Sequence, residues 1–271
     1  MAIDVHVHMR GGEDGGAILK AMDEVGLERT VLFAVPPHRA MREGGTPPKD
    51  AHKQSIDDMA RIVAPDPDRL IGFAWIEPTL SDALEGIDYA LTEKRLKGVK
   101  MIPNHWYPAD ERAQACYKKI EGYGKPMLFH TGILWGLSDT SQYCRPAFFE
   151  IMLHYPGIRF AMAHMSWPWT DECMAVNGKF KSNQKGEWTS YVDITSGAPR
   201  VWKVDALRKA LAYLGDTHIV YGSDCGLPSG ADYAALRLRE DTEMLREAGA
   251  SSETIERVLS TNALKWLGLE S

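Results

Sequence analysis

The 271-residue chain lacks any apolar run near the ~18 residues of a membrane-spanning helix, so a helical membrane protein is not expected. Cysteine is scarce: Cys116, Cys144, Cys173 and Cys225 are far apart and form no CxxC pair, which argues against a zinc knuckle or a redox dithiol. Free thiols in a reducing compartment are the expectation, with Cys225 notable because it follows a candidate metal ligand. Positive charge is also short. Lys and Arg number 31 against 37 Asp and Glu, a formal net charge of -6, and no long basic run occurs. Neither nucleic acid nor a membrane surface is therefore an expected partner. Chemistry-bearing residues appear almost at once, no signal peptide is expected, and the cytoplasm is the expected compartment.

What is present suits a soluble enzyme. Apolar residues make up 44% and charged residues 25%, and the length allows a large core. Short apolar runs alternate with amphipathic stretches throughout. Strands are predicted at 2–8, 29–35, 69–76, 97–102, 126–131, 158–164, 191–195 and 218–222. Helices are predicted at 16–26, 49–63, 81–95, 110–122, 145–155, 168–176, 203–214, 232–248 and 252–267. This alternation implies βαβ units and a parallel sheet, and a single domain over 1–271. A (β/α)8 TIM barrel, which needs about 250 residues, is the expected fold, and a doubly wound open sheet is the alternative. The stretch 34–48 reads as an extended loop. The polar stretch 177–188 reads as a surface connection or a lid.

In a barrel the C-terminal ends of the strands carry the chemistry. Strand one ends in His6-Val7-His8, and residues two apart on a strand share a face. The two imidazoles are thus expected to project together, with Val5 and Val7 opposite. Asp4 is expected on the histidine face but deeper, in a supporting role. Strand five ends in His130, strand six in His164 and strand eight in Asp224, while strand four carries Lys100. Each unpaired buried charge in such a cluster costs on the order of several kcal/mol. A divalent metal removes that cost, because neutral imidazoles and a carboxylate are ordinary ligands for Zn2+, and also for Mn2+ or Fe2+.

The segments DVHVH at 4–8, GVKMIP at 98–103, LFHTG at 128–132, AH at 163–164, YVDITSG at 191–197, YGSD at 221–224 and STNALKWLGL at 260–269 resemble the amidohydrolase superfamily. The likeness is to its amidohydrolase-related branch, which includes aminocarboxymuconate-semialdehyde decarboxylase. It implies that His6, His8, His130 and Asp224 bind one metal, expected to be zinc. His164 would lie beside the substrate. In binuclear members His130 and His164 hold a second metal, and a carboxylated lysine, at the place of Lys100, or a glutamate bridges the pair; one metal is expected in preference to two. Asp224 would act as the catalytic base and proton shuttle, with His164 stabilising the developing oxyanion. The reaction expected is hydrolysis of an amide, ester or lactone bond in a small molecule. The alternative is a lyase, a non-oxidative decarboxylase or hydratase acting on an aromatic or unsaturated acid.

The loops after the strands supply the expected pocket wall: Arg10, Glu77, His105, Trp106, Trp135, Trp167 and Trp169. The aromatic side chains suit a planar or sugar ring. Arg10 or Arg145 would pair with a substrate carboxylate, and Asp193 and Ser196 are further pocket candidates. The segment MRGGEDGG at 9–16 lacks the lysine spacing of a P-loop and reads as a flexible loop. For assembly, the expectation is the commonest oligomer, a homodimer.

Overall fold

The computed structural model describes residues 1–37, 48–135, 139–183, 187–195 and 197–270. Ser196 and most of the 34–48 connection lie outside the described residues. Eight parallel strands follow chain order around one sheet. They are β1 (Ala2–His8), β2 (Leu27–Phe33), β3 (Leu70–Trp75), β4 (Gly98–Met101), β5 (Met127–Phe129), β6 (Phe160–Met162), β7 (Ser190–Asp193) and β8 (Ile219–Val220). The eighth returns to the first through three backbone bonds: Val5 N to Tyr221 O at 3.0 Å, Asp224 N to His6 O at 2.9 Å and His8 N to Cys225 O at 2.8 Å. Sequential order with this closure makes a (β/α)8 barrel, and it excludes the doubly wound sheet, whose strand order reverses at a switch point.

Two apolar layers hold the barrel. Ile3, Val5, Val31, Phe33, Ile71, Phe73, Leu128, Ala161, Tyr191 and Val220 fill its interior. Val7, Leu32, Ala74, Val99, Met101, Phe129, Met162 and Tyr221 face the surrounding helices, together with helix residues such as Ile18, Ile62 and Leu207. Period-two alternation sorts the strands between these layers, and β1 breaks it. Its pairing with β2 is irregular between Asp4 and Val7. Ile3 and Val5 pack inside, yet the ring of His6 also meets the interior Phe33, at 4.9 Å between centroids. The expectation that Val5 and Val7 lie together opposite the histidines is therefore corrected: Val5 is in the interior layer and Val7 in the outer one. Asp4 holds the irregular turn of chain, since its Oδ1 accepts from His6 N at 3.0 Å and Ser223 N at 2.9 Å. Its role is the supporting one expected, but it acts on backbone amides.

The helices follow their caps. Asp14 accepts from Ala17 N at 2.7 Å to start α1 (Gly15–Val25), and Gly26 ends it in the left-handed conformation. The predicted helix 145–155 is a tight 3-10 helix over Pro146–His154. The stretch from 177 is not wholly a loop, because the helix Thr170–Lys181 runs through its first residues. Cys173, Val176, Asn177 and Phe180 form one buried face at helical spacing, and Asn177 Nδ2 donates to Cys173 O at 2.9 Å. At the chain's end, Ser252–Glu256 and Asn262–Leu267 are joined by a wide π turn, Arg257–Thr261. Asn262 ties this segment to β8 by donating to Asp216 O at 2.6 Å and Ile219 O at 2.8 Å. Trp266 and Leu267 then plug the barrel, with Trp266 5.5 Å from Phe73 between ring centroids. Among the described residues no helix is long and apolar enough to cross a membrane.

Candidate functional site

A cavity of about 360 Å³ opens at the C-terminal end of the strands. Its floor is His8, His130, His164 and Asp224, and its wall includes Arg10, Trp75, Ile102, Leu134, Trp135 and Trp167. β1 delivers His6 and His8 side by side, with their Nε2 atoms 3.2 Å apart. Asp224, just beyond β8, completes a triangle: its Oδ1 lies 3.5 Å from His6 Nε2 and 3.3 Å from His8 Nε2. Three donor atoms this close, two of them imidazole nitrogens and one a carboxylate oxygen, form a candidate cation site. The spacing fits the group: donors about 2.0–2.1 Å from a tetrahedral zinc lie about 3.3 Å from one another.

His130 is not part of this compact triangle. It lines the same cavity, its ring is 4.9 Å from that of His164, and its Nε2 is buried without a hydrogen-bond partner among the described residues. A buried orphan acceptor of this kind is costly unless something binds it. His164 touches both neighbours, with ring centroids 5.1 Å from His6 and 4.9 Å from His130. Lys100, interior on β4, extends across the face of Phe33 and brings its Nζ to 3.4 Å from His6 Nε2.

Burial dominates the electrostatics. It pushes the Lys100 ammonium down to about 7, against the pull of Asp224 and Asp193. His6 is held well below its ordinary 6.5, by burial first and then by the Lys100 charge. His130 is lowered in the same way, by burial and by His164 and Lys100. For Asp224 burial acts upward but is outweighed by the hydrogen bond with His8 and by His6 and His164, so its carboxyl is held well below 3.8. Asp4 is pushed up to about 7 by burial, despite its hydrogen bonds.

Two of the floor residues have unusual backbones. Asp224 and His164 both have φ of 60°, and Met165 and Ser166 follow His164 at 49° and 55°. Left-handed conformations at residues with side chains cost of order 1–3 kcal/mol each and cluster where geometry serves function. The loops around them are stitched together. Ile133 N donates to Trp167 O at 2.8 Å, and a side chain at Gly132 would collide with that same carbonyl, 2.4 Å away. This junction sets Trp135 nearly parallel to Trp167, at 6.3 Å and 15°.

Not every expected wall residue reaches the cavity. Trp106 is only 2% exposed and packs into the layer between barrel and helices. Its neighbour His105 turns away from the cavity lining, toward Asn104, Thr79 and Glu77. Glu77 is buried and accepts from Thr79. Trp169 is likewise absent from the lining, and Arg145 pairs with Glu172 at 2.8 Å. The segment 9–16 is held at its amides: Arg10 N and Gly11 N donate to the Glu13 carboxylate and Gly12 N to Asp58, so these donors are already occupied. Cys225 does not line the cavity, and burial pushes its thiol up to about 12. All four cysteines are free and buried.

Two residues at this end of the barrel carried weaker signals. Trp75, at the C-terminal end of β3, lines the cavity 6.1 Å from the ring of His8, and only its place at a strand end marked it. Asp193, ending β7, lies 2.7 Å from His6 Nδ1 through its Oδ2. Its signal was a lone carboxylate inside the apolar run YVDI.

Among curated proteins none matches the chain. Solved structures do match in fold. 2,6-Dihydroxybenzoate decarboxylase from Rhizobium aligns with a TM-score of 0.67 at 14% identity, covering 100% of this chain and 98% of the other. The probable 2-pyrone-4,6-dicarboxylic acid hydrolase of Acinetobacter baumannii aligns with a TM-score of 0.66 at 14% identity, covering 98% and 99%. A 5-carboxyvanillate decarboxylase of Novosphingobium aromaticivorans, with bound manganese, aligns with a TM-score of 0.64 at 16% identity, covering 93% and 80%. At these identities the likeness establishes the fold, which hydrolases and decarboxylases share. The sequence pattern of the amidohydrolase family matches residues 3–269, and the chain belongs to that family.

Proposed function

We propose that this amidohydrolase is a metal-dependent hydrolase that cleaves an amide, ester or lactone bond in a small substrate bearing a planar ring. The observation that carries this reading is the geometry of the cavity floor. Asp224 is the one carboxylate among the described lining residues, and its Oδ1 stands 3.5 Å from His6 Nε2 and 3.3 Å from His8 Nε2. A water bound at that triangle would lie beside a carboxylate able to take its proton.

The cation site is proposed to be His6, His8 and Asp224, with His130 turned toward it from the same floor, holding one ion. Its nitrogen-rich donors favour Zn2+, with Mn2+ and Fe2+ as alternatives. When bound, such an ion supplies Lewis acidity toward oxygen and lowers the pKa of water to about 7. The chain's own residues do the rest. Asp224 takes the proton from the attacking water as the new C–O bond forms, and returns it to the departing nitrogen or oxygen as the old bond breaks. His164 orients and stabilises the carbonyl oxygen as it gains charge. Trp75, Trp135 and Trp167 hold the ring, and Arg10 at the wall faces a carboxylate on it.

A second reading is decarboxylation of an aromatic or unsaturated acid. It is favoured by the same Arg10 and tryptophan wall and by the decarboxylases among the structural neighbours. One experiment separates the two. Zn2+-loaded and Mn2+-loaded enzyme is given a panel of lactones, aryl esters and N-acyl compounds in one arm and hydroxylated benzoic acids in the other. Acid release in the first arm, abolished in Asp224→Asn, is the expected result. Release of carbon dioxide in the second arm, with no hydrolysis in the first, overturns the hydrolase reading in favour of the lyase.

A further inference from the structure

His6 has two ring nitrogens with different surroundings. Nε2 points into the triangle with His8 and Asp224, and Nδ1 points away from it to the end of β7. There Asp193 Oδ2 stands 2.7 Å away and Thr195 Oγ1 3.1 Å away. The carboxylate is itself fixed, because its other oxygen accepts from Thr195 N at 2.8 Å. Asp193 and His6 are both fully buried, and Thr195 is 1% exposed. The backbone leaves room for this contact at one point: a Cβ at Gly222 would lie 2.5 Å from His6 Cβ and 3.2 Å from Asp193 Oδ1. Gly222, Asp193 and Thr195 together form a close-fitting cradle around His6.

Burying a carboxylate here is expensive, and packing alone would be served by an apolar residue. What the carboxylate adds is an acceptor that keeps the imidazole proton on Nδ1 and leaves the Nε2 lone pair facing the triangle. An imidazole that binds a metal through one nitrogen characteristically donates from the other to such a group, which fixes its tautomer and angle.

We propose that Asp193, together with the Thr195 hydroxyl beside the same ring nitrogen, positions His6, and that these contacts set the affinity of the His6–His8–Asp224 site for a divalent cation. The proposal rests on the reading of that triangle as a cation site. A merely structural role, pinning β7 to β1 across the barrel, makes a different prediction: stability falls, and the affinity of the folded protein for metal does not.

Asp193→Asn tests this with almost no change in size. The Thr195 amide needs an acceptor at the Oδ1 position, so the new NH2 group falls at the Oδ2 position, where it donates to His6 Nδ1. The ring proton is then driven to Nε2, and the lone pair leaves the triangle. The measurement is Zn2+ and Mn2+ affinity of the full chain, by competition with a chromophoric chelator, alongside circular dichroism and thermal unfolding of the metal-free protein. Asp193→Asn is expected to fold and to bind both ions about 10–100-fold more weakly than wild type. Thr195→Val, which removes only the hydroxyl, is expected to weaken binding by a smaller factor and decides the question if Asp193→Asn does not fold. A folded Asp193→Asn with wild-type affinity overturns the positioning role, as does unchanged affinity in Thr195→Val when that variant alone is folded. Wild type that binds neither ion overturns the cation site itself, and the positioning role with it.

Discussion

At the N-terminal end of the barrel, Ile3, Ile71, Phe73 and Tyr191 close around Trp266 in an apolar plug. At the C-terminal end of the same strands stand three histidines, a carboxylate and an arginine, around an open cavity. The plug is one apolar cluster on ordinary backbone, with the Trp266 indole nitrogen left without a hydrogen-bond partner among the described residues. The cavity floor holds left-handed residues at His164 and Asp224 and, among the described residues, an unpartnered nitrogen on His130. The barrel thus concentrates apolar burial at one end and places backbone strain and titratable groups at the other. The division predicts that substitutions at the two ends fail in different ways.

The largest effect is expected at the open end. Asp224→Asn should lower hydrolytic kcat/KM about a thousandfold, about 4 kcal/mol of transition-state stabilisation, while thermal unfolding of the metal-free protein changes little. At the plug the pattern should invert. Trp266→Ala should cost about 3–5 kcal/mol of stability in denaturant titration, with metal affinity of the remaining folded protein intact. A stable Trp266→Ala protein that has lost its metal would break the comparison, because it would couple the two ends.

A smaller effect comes from the N-terminal edge of β8. His218 stacks on Trp188 at 3.6 Å, and burial pushes its pKa from 6.5 down to about 4. Between those values the unfolded chain binds a proton that the folded chain refuses. His218 therefore imposes no penalty above about pH 6.5, and it erodes stability progressively as the pH falls toward 4. His218→Gln should flatten this part of the stability–pH curve relative to wild type, and an unchanged slope would assign the acid sensitivity elsewhere. The smallest effect on the fold belongs to Trp135, which is 70% exposed. Trp135→Ala should shift stability by no more than about 0.5 kcal/mol. It should raise KM for ring-bearing substrates with kcat nearly unchanged; a fall in kcat alone would remove it from the substrate wall.

The sequence shows most of this architecture because both of its signals are local. Apolar runs gave all eight strands, and a polar residue ending a run gave His8, His130, His164 and Asp224 their places around one cavity. What stayed hidden depends on distant partners. The irregular turn of β1 that puts Val5 inside is held by Asp4 reaching the amide of Ser223, and no local pattern encodes that bond. Trp106 and His105 are adjacent in a loop, and only the tertiary packing sends the ring of one into the core and the other away from the cavity. The helix through 177–181 was masked by the polar letters of Asn177 and Lys179, although Asn177 is buried and its Nδ2 donates to Cys173 O one turn back. Asp193 was expected at the pocket, but it does not line the cavity and instead meets His6, 187 residues away in the chain.

The most direct test of the central claim, one divalent cation held by the His6–His8–Asp224 triangle, is metal content per chain in protein purified without chelator. It is measured for wild type, His8→Ala and Lys100→Met. The account predicts about one ion per chain in wild type and in Lys100→Met, and none retained in His8→Ala. Two ions per wild-type chain, falling in Lys100→Met, would contradict it in favour of a lysine-bridged pair, and no ion even after reloading would remove the site altogether.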